Sequence, residues 1–395
     1  MLKRISKIVL IAILVELCLG GGGRITALGN VSLRMVLFCI AMILALITLI
    51  KRNNIPLRYW RIFGFFFLTI LIGVVFGLLN HSPLKLIWED VKPLLYFLIL
   101  PFFVLTIDKS EGQEIARIIK ISSVTLAVSF FLLVFLINVG IIPFLNFYRL
   151  TEKTVEFFYR GELTFFYKGF LFFGIGSIFY YFSDSNKKYF FISILVLAII
   201  VSVTRGFLFS LAVTFAIHLF KRRLIYYSVT AAMIAISIVL WGNQVTINFS
   251  RWVDSNNRRE SFEKASPHLL GGRNYSDAGR FEQITEVKDR ISFSSVLVGH
   301  GFGQGVPSRP VHMEISYLEI FHKQGFIGLA FWGLLAGMVL TGYRQALPSL
   351  LANAFFFSAL FIFIESLTNQ YINNPIGMSM LLLFLVCLDK LKMKQ

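Results

Sequence analysis

Groups that can transfer protons or bind anions are concentrated in one stretch of this otherwise apolar chain. Residues 298–325 read VGHGFGQGVPSRPVHMEISYLEIFHKQG and contain His300, His312 and His322. The histidines are 12 and 10 residues apart, which does not match metal-ligand spacing, and no cysteine or aspartate lies among them. We therefore predict no metal and no cofactor here, and look instead to proton transfer and anion binding.

The second half of this stretch has helical spacing. A helix over 312–324, ending at Gly325, places His312, Ser316, Glu319 and Lys323 on one face. This polar stripe either lines a water-filled cavity or is the solvated face of an amphipathic helix. His312 stands at the predicted helix start, where a substrate can reach it.

The preceding GHGFGQG segment is rich in glycine. It has no βαβ unit around it, so it is not a dinucleotide fingerprint. Alternating glycines allow tight turns and close backbone approach. The segment is predicted to be either a backbone site for a phosphate or a plain structural hairpin.

Arginines supply the candidate anion ligands. Residues 277–291 have helical spacing, with Arg280 near the start and Arg290 near the end of this range. Arg273 lies just before it. The planar fork of arginine suits bidentate phosphate binding, although arginines in a mixed-charge loop are more often ion-paired and solvated. Arg205 differs because it lies between two apolar segments, where a charge is either a snorkelling anchor or part of an anion site.

The elements that must position these residues are membrane helices. The chain has 395 residues, of which 56% are hydrophobic and only 15% charged, and apolar runs long enough to cross a bilayer recur along it. The predicted fold is all-α, a polytopic helical bundle of 12 spans. They lie near 6–22, 33–50, 61–79, 92–107, 118–138, 167–183, 189–203, 206–220, 224–242, 326–342, 349–366 and 375–389.

This division gives three regions. Residues 1–242 hold spans one to nine, with a shorter outer loop near 139–166 that is expected to form an interfacial amphipathic element. Residues 243–325 form a long outer loop that carries the candidate site, and 326–395 hold spans ten to twelve. Spans seven and eight are predicted to form a tight hairpin around Val203-Thr204-Arg205-Gly206, and Pro101 is expected to kink its span.

The net charge of +17 is explained by topology. Most of the excess lysine and arginine falls in short loops on the side of both termini, which is the positive-inside signal of cytoplasmic loops. No compact basic patch or motif indicates a nucleic-acid partner. No nucleotide-binding P-loop is present either.

These motifs together resemble the O-antigen polymerase and O-antigen ligase superfamily of bacterial cell envelopes. The resemblance rests on Thr204-Arg205-Gly206 in an outward hairpin, on Arg280 in GRFEQITEVKDRI, and on the GxGxG segment Gly299–Gly303. It also rests on His312, followed by Tyr317-Leu318 and Gly325-Phe326-Ile327-Gly328. The residue after His312 is Met rather than Asn, and Tyr317-Leu318 lies two residues later than in that pattern. The motif region covers about a third of the chain.

The resemblance implies metal-independent glycosyl transfer from an undecaprenyl-pyrophosphate-linked donor at the periplasmic face of the inner membrane. His312 is then the expected base, and Arg280 and Arg205 the expected stabilisers of the departing pyrophosphate. The expected substrate-binding residues are Arg273, Arg290, Glu314, Tyr317, Glu319 and His300, with Glu314 or Glu319 orienting the histidine or a sugar hydroxyl.

Three activities stay open at this point. The chain is expected to polymerise lipid-linked repeat units, with transfer of a glycan to lipid A core by a ligase as the alternative and a flippase or transporter as the third possibility. The implied partners are undecaprenyl-pyrophosphate-linked glycans as donor and acceptor, membrane lipids, and a chain-length regulator and flippase.

Overall fold

The computed structural model is mostly helical and describes residues 2–25, 27–28, 31–52, 55–154, 156–159, 164–221 and 272–392. Short antiparallel hairpins pair β1 (Ala27–Leu28) with β2 (Val31–Ser32) and β3 (Phe157–Tyr159) with β4 (Phe165–Tyr167). The α-helices in these ranges are α1 (Leu2–Leu19), α2 (Leu33–Arg52), α3 (Leu57–Leu79), α4 (Leu84–Leu94), α5 (Leu100–Thr106), α6 (Glu111–Asn138), α7 (Phe144–Thr151), α8 (Leu171–Tyr181), α9 (Lys188–Val201), α10 (Arg205–Lys221), α11 (Gly272–Asp289), α12 (Phe293–Val298), α13 (Ser316–Gln345), α14 (Leu350–Glu365) and α15 (Pro375–Lys390).

Within the described ranges, four helices are long and apolar enough to cross a bilayer, namely α2, α3, α6 and α13. Shorter apolar helices include α9, α10 and α14. The chain is therefore a helical integral membrane protein, as its composition predicted. The predicted span at 224–242 and the loop residues 243–271 lie outside the described residues, and the total of 12 spans stays a prediction.

The predicted span 92–107 is not one helix. The chain forms α4, a 3₁₀ turn over Leu95–Ile99 and then α5. Pro93 lies inside α4 and Pro101 in the first turn of α5. Since proline lacks an amide hydrogen and clashes with the preceding turn, it breaks a continuous helix. The expected kink at Pro101 is thus part of a longer break, and α4 places Asp90 beside the candidate site.

The chain divides into two compact units. The first contains Met1–Ile13, Arg34–Ile115 and Ala278–Gln395. Its central element is α15, which is buried from Ile376 to Leu388 because it is apolar on every side. Asn374 caps this helix through its side chain, and Pro375 occupies the first turn.

The second unit contains Leu14–Leu33 and Ala116–Asp277. Helices α9 and α10 are joined by only three residues, so the predicted tight hairpin is confirmed. The segment near 139–166, predicted to be an outer loop, contains α7, which buries Phe147 and Thr151, followed by the β3–β4 hairpin. Aromatic rings of α7 and this hairpin, including Phe147 and Phe165, pack together.

Candidate active site

The polar stripe of the sequence lies on a helix that begins later than predicted. Helix α13 starts at Ser316, and Ile315 before it is extended (φ −100°, ψ 117°). Residues 312–315 are therefore not helical, because tertiary contacts hold them extended. Met313 is buried with Val287 and Val306, and the amide of Glu314 donates a hydrogen bond to the Gln283 side chain.

The expected helix stop at Gly325 is a break within α13 rather than its end. Gly325 has φ 60° and ψ −156°, a conformation that favours glycine, and the helix resumes beyond it as a membrane-length segment. A β-carbon at Gly325 would lie 2.4 Å from the carbonyl carbon of Leu297. The glycine is required here because another backbone passes this close.

The stripe itself faces the protein interior. Ser316, Glu319 and Lys323 are buried, so they form neither a solvated face nor the wall of an open cavity. Their partners include the loop that joins α14 to α15. The Ser316 hydroxyl lies 2.9 Å from the backbone oxygen of Asn369 and accepts a hydrogen bond from the Tyr371 amide.

Lys323 lies between two buried carboxylates. Its Nζ atom is 2.7 Å from Asp90 Oδ1, 2.7 Å from Glu319 Oε1 and 2.5 Å from the Val311 carbonyl oxygen. The three side chains are 3%, 4% and 5% exposed for Lys323, Asp90 and Glu319 respectively. Three acceptors match the three donors of an ammonium group, so Lys323 is held as the cation.

His312 is attached to the same pair of oxygens. Its Nδ1 atom is 3.2 Å from Glu319 Oε1 and 3.5 Å from Asp90 Oδ1, while the side chain is 44% exposed. Since an ionised carboxylate can only accept a hydrogen bond, the proton on the neutral ring belongs on Nδ1. Nε2 is then the basic nitrogen, which is the arrangement of a positioned general base.

The second oxygens of both carboxylates are also bound. Glu319 Oε2 accepts hydrogen bonds from Gln370 at 2.6 Å and Asn373 at 2.7 Å, and Asp90 Oδ2 accepts one from the Gly303 amide at 2.7 Å. Burial raises the pKa of Asp90, whereas the charge of Lys323 and the hydrogen bonds from Lys323 and Gly303 oppose this shift. The two carboxylates are thus fixed in position on both sides.

Asp90, His312 and Glu319 also have the donor types of a metal site, with ligand atoms within 4.8 Å of one another. Yet the Lys323 ammonium lies 2.7 Å from an oxygen of each carboxylate. The protein therefore supplies its own cation at the place where these carboxylates would attract one.

The glycine-rich segment has a structural role. The amides of His300, Gly301 and Phe302 donate to the backbone oxygens of His322, Lys323 and Gly73 respectively. Together with the Gly303 amide on Asp90, these bonds occupy four consecutive amides, so the structure favours a structural role over a phosphate site at these residues. The segment ties α3, α4 and the break in α13 to one another.

Helix α11 contacts the segment 308–314, on both sides of His312, through polar side chains. Arg280 Nε lies 3.2 Å from Glu314 Oε2, and Arg309 lies 2.5 Å from the other oxygen of that carboxylate. Glu286, on the same helix, accepts hydrogen bonds from the amide and hydroxyl of Ser308. Glu314 is therefore bound to arginines and, of the two glutamates considered, Glu319 is the one that contacts the histidine.

One expectation for α11 is wrong. The helix begins at Gly272, which puts Arg280 in its interior rather than near its start. Of its apolar side chains, Phe281 is 71% exposed whereas Val287 is buried, and the polar Gln283 is buried as well. The polar face packs inward because its side chains find partners in residues 305–314.

Several predicted substrate residues have other partners in the protein. Arg290 donates from Nη1 to the Gly305 carbonyl oxygen at 2.9 Å, and Tyr317 donates to the Phe363 carbonyl oxygen at 2.9 Å. The His300 ring lies beside the His322 ring. Burial lowers the pKa of His300, and the charge of Arg290 acts in the same direction.

The remaining two predicted arginines are Arg273 and Arg205. Arg273 lies within α11, but its side chain is outside the described residues. Arg205 is the first residue of α10 and half-buried in the second unit. Before it stand Val203, with φ 55°, and Thr204, whose hydroxyl lies 2.8 Å from that of Ser202. A positive φ at a β-branched residue is a strained conformation.

Sequence reasoning missed four residues that build the site, Asp90, Arg309, Gln370 and Asn373. The amide-rich NQYINN segment at 369–374 was an available signal, since side-chain amides are suitable donors for a buried carboxylate.

Fold and site define a helical integral membrane protein in which a buried ion cluster holds an exposed histidine. No family model matches the chain. It is similar to an O-antigen polymerase of Shigella flexneri, with 28% identity over 386 residues, covering 95% of this chain and 93% of that protein. This similarity confirms the resemblance to the O-antigen polymerase and ligase superfamily that is seen in the motifs.

Proposed function

We propose that this protein polymerises undecaprenyl-pyrophosphate-linked oligosaccharide repeat units at the periplasmic face of the inner membrane. The single observation that carries the proposal is His312, whose ring is exposed while Nδ1 contacts Glu319 and Asp90. A histidine held in this way is suited to deprotonating a sugar hydroxyl. The similarity along almost the full length of a polymerase favours polymerisation over ligation.

In the proposed step, an acceptor hydroxyl transfers its proton to Nε2 of His312 as its oxygen attacks the anomeric carbon of the donor. The bond between that carbon and the diphosphate oxygen breaks, and undecaprenyl diphosphate leaves with the electron pair. The leaving group needs no nucleotide and no metal. Charge develops on the diphosphate, so preorganised guanidinium groups stabilise the transition state.

Arg280 is the proposed diphosphate ligand in the first unit, together with Arg309. Both are ion-paired with Glu314, two residues after His312 in the chain. Arg205 is proposed for the same task on the resemblance of its Thr-Arg-Gly sequence. A diphosphate would compete with Glu314 for the two guanidinium groups, because arginine binds both anions through the same planar fork.

The test is incubation of the purified protein with lipid-linked repeat units, followed by gel separation of the products. A ladder of chain lengths is expected from the natural protein. Replacing His312→Ala should reduce the rate about 10²–10⁴-fold, which is the usual contribution of general base catalysis. Arg280→Ala should also abolish long chains, whereas Lys288→Ala, exposed on the same helix, should leave the ladder intact.

A ligase or a transporter would behave differently. Cells lacking a polymerase keep single repeat units on lipid A core, whereas cells lacking a ligase keep long glycans on undecaprenol. A transporter would form no glycosidic bond with purified lipid-linked oligosaccharide. Long chains of natural length distribution in the His312→Ala variant would remove this residue from the mechanism.

A further inference from the structure

The two oxygens that contact His312 are the same two that bind the buried lysine. Asp90 Oδ1 is 2.7 Å from Lys323 Nζ and 3.5 Å from His312 Nδ1, and Glu319 Oε1 is 2.7 Å and 3.2 Å from these atoms. An ammonium and an imidazole therefore share one pair of carboxylate oxygens. A change of charge at Lys323 therefore changes the electrostatic field at the His312 ring.

The charge of this cluster follows from its hydrogen bonds. Lys323 uses three donors and is a cation, while Asp90 and Glu319 accept on both of their oxygens and are anions. With a neutral His312 the four groups carry a net charge of −1. When the ring takes a proton, the cluster becomes neutral.

Among the described residues of the first unit, His312 has no other contact with a charged side chain. The groups that face the ring are Asp90 from α4 and Glu319 from α13, with Lys323 bound to both. In the neighbouring segment, Arg309 and Glu314 are paired with each other. The ion cluster is therefore the dominant source of the field at Nδ1.

We infer that Lys323 and Asp90 are positioning residues that, with Glu319, set the proton affinity of His312. Glu319 accepts the hydrogen bond from Nδ1, and both carboxylates supply the negative charge that stabilises the imidazolium. Lys323 cancels one of the two charges, so that the ring is attracted to one net anion instead of two. The inference rests on the proposed function for its role in catalysis but not for its electrostatics.

A structural alternative treats Lys323 as packing support only. Under that alternative every substitution in the cluster loosens the site and acts in the same direction. Under the inference, removing a cation and removing an anion act in opposite directions, because the surplus charge becomes −2 in the first case and zero in the second. The sign of the response separates the two.

The readout is the reactivity of the His312 ring toward diethyl pyrocarbonate, which modifies neutral imidazole, followed at that residue by mass spectrometry across a pH series. It needs no glycan substrate and suits a side chain that is 44% exposed. Asp90→Asn is expected to move the midpoint of reactivity to lower pH by about one unit or more, given a unit charge 3.5 Å away. Lys323→Met is expected to move it to higher pH by a similar amount.

The double variant Asp90→Asn with Lys323→Met provides the matched control. It restores the net charge of −1, so the midpoint is expected to return close to that of the natural protein. If Lys323→Met alone does not fold, the comparison of Asp90→Asn with the double variant still tests the inference. Shifts in one common direction, or no shift in variants with a normal thermal transition, overturn it.

Turnover measurements distinguish this inference from the proposed function. The acid limb of the pH dependence of kcat/KM should follow the same opposite shifts if His312 is the base. Opposite shifts in reactivity without any glycan polymerisation would reject the function and retain the electrostatic inference. Polymerisation with unmoved reactivity midpoints would retain the function and reject the inference.

Discussion

Replacing Glu319 by glutamine tests how far the buried cluster stabilises the fold. In the natural protein, one carboxylate oxygen accepts from Lys323 and His312, and the other from Gln370 and Asn373. Glutamine has the same shape but only one acceptor oxygen. Whichever way the amide is turned, its NH₂ group faces two donors.

The expected loss follows from these contacts. If the amide nitrogen faces Lys323 and His312, a charge-assisted hydrogen bond of about 1.5–3 kcal/mol and a second bond of about 1 kcal/mol are lost. Removing one partner of a buried ion pair costs about 3–5 kcal/mol in general. For a chain of 395 residues, a free energy of unfolding lowered by this amount corresponds to a fall in Tm of roughly 3–6 °C.

The assay is thermal unfolding in detergent, compared with Glu282→Gln as the control. Glu282 is exposed on α11, so its substitution should change stability by less than about 0.5 kcal/mol. A fall in Tm for Glu319→Gln of less than about 2 °C relative to this control would refute the reasoning, because it would mean that four donors to one buried carboxylate add nothing to stability.

Three further outcomes are expected. Gly301→Ala should abolish folding, judged by size-exclusion chromatography, because a β-carbon there would lie 2.0 Å from the Gly77 amide nitrogen. Gly279 has open space around it within α11, so Gly279→Ala should leave the free energy of unfolding unchanged or raise it by about 0.5–1 kcal/mol. Equal elution profiles for the Gly301→Ala and Gly279→Ala variants would contradict the structural role of the glycine-rich segment. Polymerisation should persist in excess EDTA, since Lys323 already occupies the place between the carboxylates that a metal ion would need. A loss of polymerisation in EDTA that added Mg²⁺ or Mn²⁺ restores would contradict this expectation. Because burial lowers the pKa of His300 from its ordinary value of 6.5, stability should hold above that pH and fall as the pH drops below it, and His300→Gln should flatten the dependence of Tm on pH.

Local sequence patterns predicted many of the elements. Long apolar runs identified membrane helices at α2, α3 and α6, because crossing a bilayer requires a length and composition that are visible in the sequence alone. The three-residue connection before Arg205 likewise followed from the short gap between two apolar runs. Glycine at 325 marked a backbone break, although the sequence did not indicate that the helix resumes after it.

The partners of the polar residues could not be predicted in the same way. The spacing of Glu319 and Lys323 indicated a shared helix face, but not that this face is buried. The contact between Lys323 and Asp90 joins residues 233 positions apart. Such a pair leaves no periodic signal, since periodicity reports only neighbours within one element.

By itself the sequence determined that this is a helical membrane protein, and it predicted candidate proton-transfer and anion-binding groups at 273–325 and at Arg205. Only the tertiary structure decided that His312 precedes its helix, that Asp90 joins it from α4, and that Lys323 occupies the space between the carboxylates. The reason is physical. Helix formation depends on neighbouring residues, whereas the ionic environment of a side chain depends on which distant segments exclude water from it.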